Sequence, residues 1–331
     1  MEIIKIESAG LDLRIDQPGI YEMSREQYHA DPCVEPSLSR SCIVDMFERS
    51  PFHAACDHPR GILPSWIGAG EDDEEEESDP KEMKAMLIGS YADAILMGGA
   101  DAFEVLPYDK FTTNAAKEAK ANAIAKGRKP IKKKHAETAE RMIQTFRARF
   151  TLERFPEIGE GFPVTGFQSV VIWHENGVWN RAMLDALNKH VWDYKSTAAD
   201  AHPASWTNNQ LFGMGLEMQA AYYPRGYKAV TGESKHFAFA VQEQKKPFDC
   251  YPCVVDPIDL AYAQRRITWA QGVWRRGLDS GEWDGYTTRT ITAMAKPWQR
   301  TRWEEFFENL KTLEKLKQVE TGSGPDLRAA C

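Results

Sequence analysis

The stretch that most narrows the fold is residues 162–197, FPVTGFQSVVIWHENGVWNRAMLDALNKHVWDYKST. Three β-branched and aromatic runs are separated by His174-Glu175-Asn176-Gly177 and by Asn188-Lys189. Asn-Gly between such runs is a strong hairpin signal, so the segment predicts an antiparallel meander. Asp185 falls late in its second strand and Asp193 in its third. Helical patterns surround it. Residues 39–49 carry an apolar stripe of Cys42, Ile43, Met46 and Phe47 behind a capping Ser39, and Ser50-Pro51 ends it. A second helix begins near Lys81 and stops at Gly98-Gly99, with Asp93 beside its apolar face. Further helices are expected over 206–223, 256–279 and 302–319, a strand over 235–243, and a hairpin or edge strands within 1–20. Strands mixed with helices in this order predict an α/β fold with a mixed central sheet flanked by helices.

A chain of 331 residues with 42% hydrophobic and 27% charged residues can bury a large core, which excludes wholesale disorder. We expect one domain over 1–320 and a flexible tail over 321–331. The six cysteines are scattered, no basic and apolar leader opens the sequence, and no run of 18 apolar residues exists. A reducing cytoplasmic setting without a membrane span is therefore expected. The net charge of −8 argues against binding nucleic acid by bulk charge alone, though not against a local basic groove. Two charge blocks stand out. Glu71 to Glu77 is an unbroken acidic run within the loop 68–80. The connector 114–135 concentrates base: Lys117, Lys120, Lys126, Arg128, Lys129, Lys132, Lys133 and Lys134, against one acid between 117 and 134. Such a block is either a solvated helix face or a phosphate-contacting surface.

The chemistry concentrates in Asp185, then Asp193-Tyr194-Lys195. Residues i and i+2 of a strand share a face, so Asp193 and Lys195 point the same way. Two carboxylates at adjacent strand ends suit a hard cation such as Mg²⁺ or Mn²⁺. A lysine beside them could hold a water or steady charge on a phosphate. An apolar strand makes an unpaired Asp and Lys costly, which favours a functional pair over a surface ion pair. Arg181, four residues before Asp185, is on the same strand face and could serve the phosphate. Gln219 and Tyr223 stand at i, i+4 on one helical face, either gripping DNA backbone or water or simply completing an amphipathic helix.

The order of these segments resembles the exodeoxyribonuclease VIII (RecE-like) branch of the PD-(D/E)XK nuclease superfamily, often carried by phages and prophages. The matching blocks are YEMSREQYHADP with PSLSRSCIVDMFERSPFHAAC, LIGSYADAILMG, NAAKEAKANAIAKGRKPI, RAMLDAL with VWDYKST, EMQAAYY and EWDGYTTRTITAMAKPWQ, spanning about residues 20–300. The resemblance implies a restriction-endonuclease-like core, with a catalytic part at 160–245 and an N-terminal helical elaboration. It makes Asp185 and Asp193 metal ligands, joined by Asp93 and the Tyr194 carbonyl. Lys195 becomes the catalytic lysine, and Gln219 and Tyr223 the motif that organises the site. Many relatives carry His where this chain has Asp93, and Asp193 replaces the more frequent Glu. One or two Mg²⁺ or Mn²⁺ ions per site follow.

No iron–sulfur cluster is expected, because Cys250 and Cys253 form the one tight pair; two plain thiols are favoured over a zinc site there. Arg40 could touch a 5′ phosphate, and the basic connector could line a DNA channel. The implied activity is digestion of one strand of linear duplex DNA, 5′→3′, exposing a 3′ single strand for recombination. The implied partners are duplex DNA with free ends, a single-strand annealing protein and further copies in a ring. A structure-specific endonuclease, an adaptation-type end trimmer and a degenerate DNA-binding module remain as alternatives.

Overall fold

A computed structural model describes residues 3–6, 10–68, 80–163 and 169–320. The acidic run 71–77 and the tail 321–331 lie outside the described residues. The strands are β1 (Ile4–Lys5), β2 (Gly19–Glu22), β3 (Phe103–Leu106), β4 (Lys129–Lys132), β5 (Ser169–Glu175), β6 (Val178–Leu184), β7 (Ala186–Leu187), β8 (His190–Thr197), β9 (His236–Glu243) and β10 (Cys250–Cys253). The helices are α1 (Arg25–His29), α2 (Arg40–Glu48), α3 (Pro51–Cys56), α4 (Ser65–Gly68), α5 (Pro80–Met97), α6 (Asn114–Ala125), α7 (Lys133–Arg149), α8 (Pro203–Trp206), α9 (Leu216–Thr231), α10 (Pro257–Ser280) and α11 (Pro297–Glu320). The chain divides into two units, 1–286 and 287–331.

Two four-stranded sheets carry the first unit, in the orders β1-β2-β5-β6 and β10-β9-β8-β7, with β3 and β4 as a separate parallel pair. This is a mixed α/β fold with helices flanking mixed sheets. The Asn176-Gly177 turn joins β5 to β6 with both residues at positive φ, as a tight hairpin requires. The third run of the expected meander behaves differently. It lies as β8 inside the second sheet, antiparallel to the short β7 and parallel to β9, so the chain changes sheets at Asp185. The Asp185 carboxylate itself accepts the Tyr194 backbone N–H at 3.1 Å. The side chain thus satisfies a backbone donor at the break between the two sheets.

The N-terminal expectation of a hairpin needs correction: β1 and β2 pair in parallel. Alternation showed extended chain there but carried no information on direction. The 206–223 helix also starts later than expected. Gly215, at φ +60, interrupts the chain, and α9 begins at Leu216 and runs past Pro224 to Thr231.

Alternation along β8 separates two cores. Val191 faces a cluster with α2, α9 and α10 residues such as Ile43, Met218, Tyr222 and Trp274. Trp192 and Tyr194 face the opposite cluster, where Ile88, Ala92, Met142 and Phe146 of α5 and α7 lie. Asp193 and Lys195 therefore share the α9 side. On the other side, Gly89 lets α5 close on β8: a Cβ there would stand 2.6 Å from Ser196 Oγ. This fixes α5 against the strand one turn before Asp93.

In the second unit, α11 carries Trp303, Phe306, Leu310 and Leu313, and all four are exposed. No helix among the described residues is long and apolar enough to cross a membrane.

Candidate active site

Asp93, Asp185, Asp193, Lys195, Gln219, Tyr223 and Arg40 line one open cavity of about 860 Å³. They come from five places: α5, the break after β6, β8, α9 and the start of α2. Asp193 is buried at 3% exposure and held from two directions. Gln219 Nε2 donates to its Oδ1, and Lys195 Nζ lies 2.6 Å from its Oδ2. Asp185 is fixed by the Tyr194 N–H, while the Tyr194 hydroxyl donates to Gln242 at 2.7 Å. Asp93 Oδ2 accepts from Arg25 Nη2 at 2.6 Å, and its other oxygen is buried without a hydrogen-bond partner among the described residues. Arg40 donates to the Met214 carbonyl.

The electrostatics follow from crowding. Burial, then the charges of Asp193 and Asp93, push the Asp185 carboxyl well above the ordinary aspartate value. Burial likewise raises Asp93, against the pull of Arg25. Burial alone would lower the Lys195 ammonium, but Asp193 and Asp185 outweigh it and its pKa rises. Lys195 is thus a fixed cation rather than a proton donor or base at neutral pH. Tyr223 stays a neutral phenol, raised first by burial.

Among the described residues, no three His, Cys, Asp or Glu side chains stand close enough to hold a metal ion as placed. The three aspartates face one cavity but are each engaged by a protein donor. Their chemistry nevertheless fits a hard divalent cation: all donors are carboxylate oxygens, and the unpartnered buried Asp93 Oδ1 asks for a cation or a donor.

One expected contact requires correction. Arg181 is 3% exposed and unable to meet DNA. Its Nη1 lies 3.2 Å from Asp31 Oδ1 and donates to Ser37 O at 2.8 Å, and its guanidinium sits over the Tyr28 ring. A buried guanidinium needs a counter-charge, and Asp31, itself fully buried, supplies it. His58 completes this network 3.4 Å from Asp31; burial lowers its pKa to about 4, so it is neutral and structural.

The basic connector spreads over α6, β4 and the start of α7. Lys117, Lys120, Arg128, Lys129, Lys133 and Lys134 are exposed, and Lys132 is half-buried. Lys120 and Lys132 sit over the Phe111 ring, and Arg128 lies 4.0 Å from Glu104. Lys129 lines a smaller cavity of about 350 Å³ that shares Arg25, Ser90 and Asp93 with the main one.

Arg25 is the site residue that sequence reasoning missed. Nothing in SREQYH links it to a residue 68 positions on. The capping box between Ser24 and Gln27 was the one legible signal, and it marks the helix that carries Arg25.

The chain resembles a crystal structure from Eubacterium rectale described as "Putative exonuclease", with a TM-score of 0.50 and 17% identity over 85% of this chain and 98% of that one. At that identity the likeness speaks for the fold alone. No curated protein matches the chain in sequence. The family described as "PDDEXK-like domain of unknown function (DUF3799)" matches residues 69–261, more than half of the chain and the stretch that holds Asp93, Asp185, Asp193, Lys195, Gln219 and Tyr223. The protein therefore belongs to this PDDEXK-like family and carries the fold of the PD-(D/E)XK nucleases.

Proposed function

We propose that the protein is a metal-dependent deoxyribonuclease that digests one strand of linear duplex DNA from an end, 5′→3′, in the manner of the RecE-like branch. The observation that carries the reading is the convergence of Asp93, Asp185, Asp193 and Lys195 on one cavity within a PDDEXK-like domain. Asp185, Asp193 and Asp93, with the Tyr194 carbonyl, would hold Mg²⁺ or Mn²⁺. Such an ion, when bound, supplies Lewis acidity toward the phosphate and lowers the pKa of its water. Lys195 contributes a fixed positive charge beside the reacting phosphate, and Gln219 keeps Asp193 from rotating away. Arg40, at the first turn of a helix capped by Ser39, supplies a cation and a helix N-terminus where a phosphate could rest. Lys117, Lys120, Arg128, Lys129 and Lys132 to Lys134 extend a basic surface for the backbone.

The polarity and end-dependence are tested with linear duplex labelled at the 5′ end of one strand and the 3′ end of the other, beside a covalently closed circle, in Mg²⁺. Early loss of the 5′ label with intact circles is expected. Cut circles would replace the reading with an endonuclease of the same fold.

A role in recombination, with a single-strand annealing protein consuming the exposed 3′ strand, belongs to the same reading. So does assembly into a ring. The exposed apolar face of Trp303, Phe306, Leu310 and Leu313 supports self-association, since such patches mark interaction surfaces. Light scattering at micromolar concentration should give a multiple of 37.5 kDa; a monomer would remove the ring.

A further inference from the structure

We propose that Arg25 is a built-in counter-cation for Asp93, which an incoming divalent ion must displace, so that Arg25 sets how tightly the site takes its metal. The proposal rests on reading Asp93 as a metal ligand. Its basis is an asymmetry at one carboxylate. Asp93 Oδ2 is occupied by Arg25 Nη2 at 2.6 Å, while Oδ1 is buried without a hydrogen-bond partner among the described residues. A carboxylate whose two oxygens are so unequally served is half-prepared for a cation on its empty side.

The charges around the cavity point to Arg25 as the group that yields. Asp93, Asp185, Asp193 and Glu82 are faced by Lys195, Arg25 and Arg40 around the cavity. A divalent ion added among them turns one formal negative charge into one positive charge at short range. Lys195 is anchored in β8, in the middle of the second sheet and against Asp193. Arg25 comes from a separate five-residue helix, and its side chain is 43% exposed against 15% for Asp93.

It also has somewhere to go. Arg25, Ser90 and Asp93 together line both the main cavity and the 350 Å³ cavity. The Ser24–Gln27 capping box and a Gln27 Nε2 bond to the Gly10 carbonyl hold α1 in place, so the movement asked of Arg25 is one of its side chain and not of its helix.

The test is calorimetric titration of the full chain with Mn²⁺ alone, without DNA, for wild type, Arg25→Gln, Arg25→Lys and Asp93→Asn. Circular dichroism checks that each variant is folded. Arg25→Gln removes the competing charge and should tighten Mn²⁺ binding about tenfold, the scale of one charge-assisted hydrogen bond. Arg25→Lys keeps a cation and should stay within about threefold of wild type. If Asp93→Asn weakens binding but Arg25→Gln leaves it unchanged or weaker, Arg25 is no competitor and the counter-cation role is overturned alone. If Asp93→Asn binds Mn²⁺ as wild type does, the ligand reading of Asp93 fails first, and the proposal with it.

Discussion

Lys195→Ala should lower the rate of DNA hydrolysis by about 10²–10³-fold, the usual cost of removing one preorganised electrostatic group from a reaction site. The ammonium lies 2.6 Å from Asp193 and borders the cavity where a phosphate would sit. Its pKa is raised, so the charge is present throughout the neutral range and no pH change within it substitutes for the residue. The side chain is about one-third exposed and its Cα stays in the β8–β9 ladder, so truncation leaves the sheet intact. Arg at this position restores charge but not the compact ammonium, and should recover little. Single-turnover rates on labelled linear duplex in Mg²⁺ measure the effect. A rate within fivefold of wild type would remove Lys195 from the chemistry.

The second large effect runs opposite to intuition: Asp185→Asn should stabilise the metal-free protein while abolishing cleavage. The folded Asp185 holds its proton more tightly than the unfolded chain does, because it is buried and faces Asp193 and Asp93. Between the ordinary aspartate value and the raised one, the folded state binds more protons than the unfolded state. Stability contributed by this group is therefore present below the ordinary value and is lost as pH rises through the raised one. Asp93 is shifted in the same direction, so the metal-free protein should lose stability through both groups as pH rises above the ordinary aspartate value.

Asn keeps an oxygen to accept the Tyr194 N–H and removes the charge. In EDTA at pH 8 the melting temperature should rise by roughly 1.5–3 °C, on the order of 1–2 kcal/mol in a chain of this size, and the gain should shrink at pH 5. With saturating Mg²⁺ the order should reverse, since wild type then gains binding free energy that the variant forgoes. Scanning calorimetry checks both conditions. Destabilisation of the variant in EDTA would show that the Asp185 charge is compensated in the folded protein.

What was legible from the sequence was local. HVWDYKST reads as a strand because it is rich in β-branched and aromatic residues, and a two-residue period sets Asp193 and Lys195 on the face opposite Trp192 and Tyr194. Asn176-Gly177 reads as a turn because few residues accept positive φ. Asp185, Asp193, Lys195, Gln219 and Tyr223 are all brought to one cavity, and their recognition needed only strand and helix periodicity plus motif order.

What stayed hidden were relations between distant segments. Periodicity cannot show that the chain leaves one sheet at Asp185 and enters another. Arg181 lies on β6 beside the site, but its partners, Asp31 and Ser37, lie about 150 positions earlier, and only their burial turns a candidate phosphate contact into a core ion pair. Arg25 is the reverse case: a residue without a motif becomes part of the site because α1 packs where α5 presents Asp93.

The most direct test of the account is whether the purified wild-type protein hydrolyses linear duplex DNA in Mg²⁺ or Mn²⁺ and ceases to do so in EDTA. Nucleotide release is expected with either ion and none with the chelator. Folded protein that binds DNA but releases nothing with either ion would contradict it, and would make the Asp93–Asp185–Asp193–Lys195 cavity the remnant of a nuclease site in a binding module.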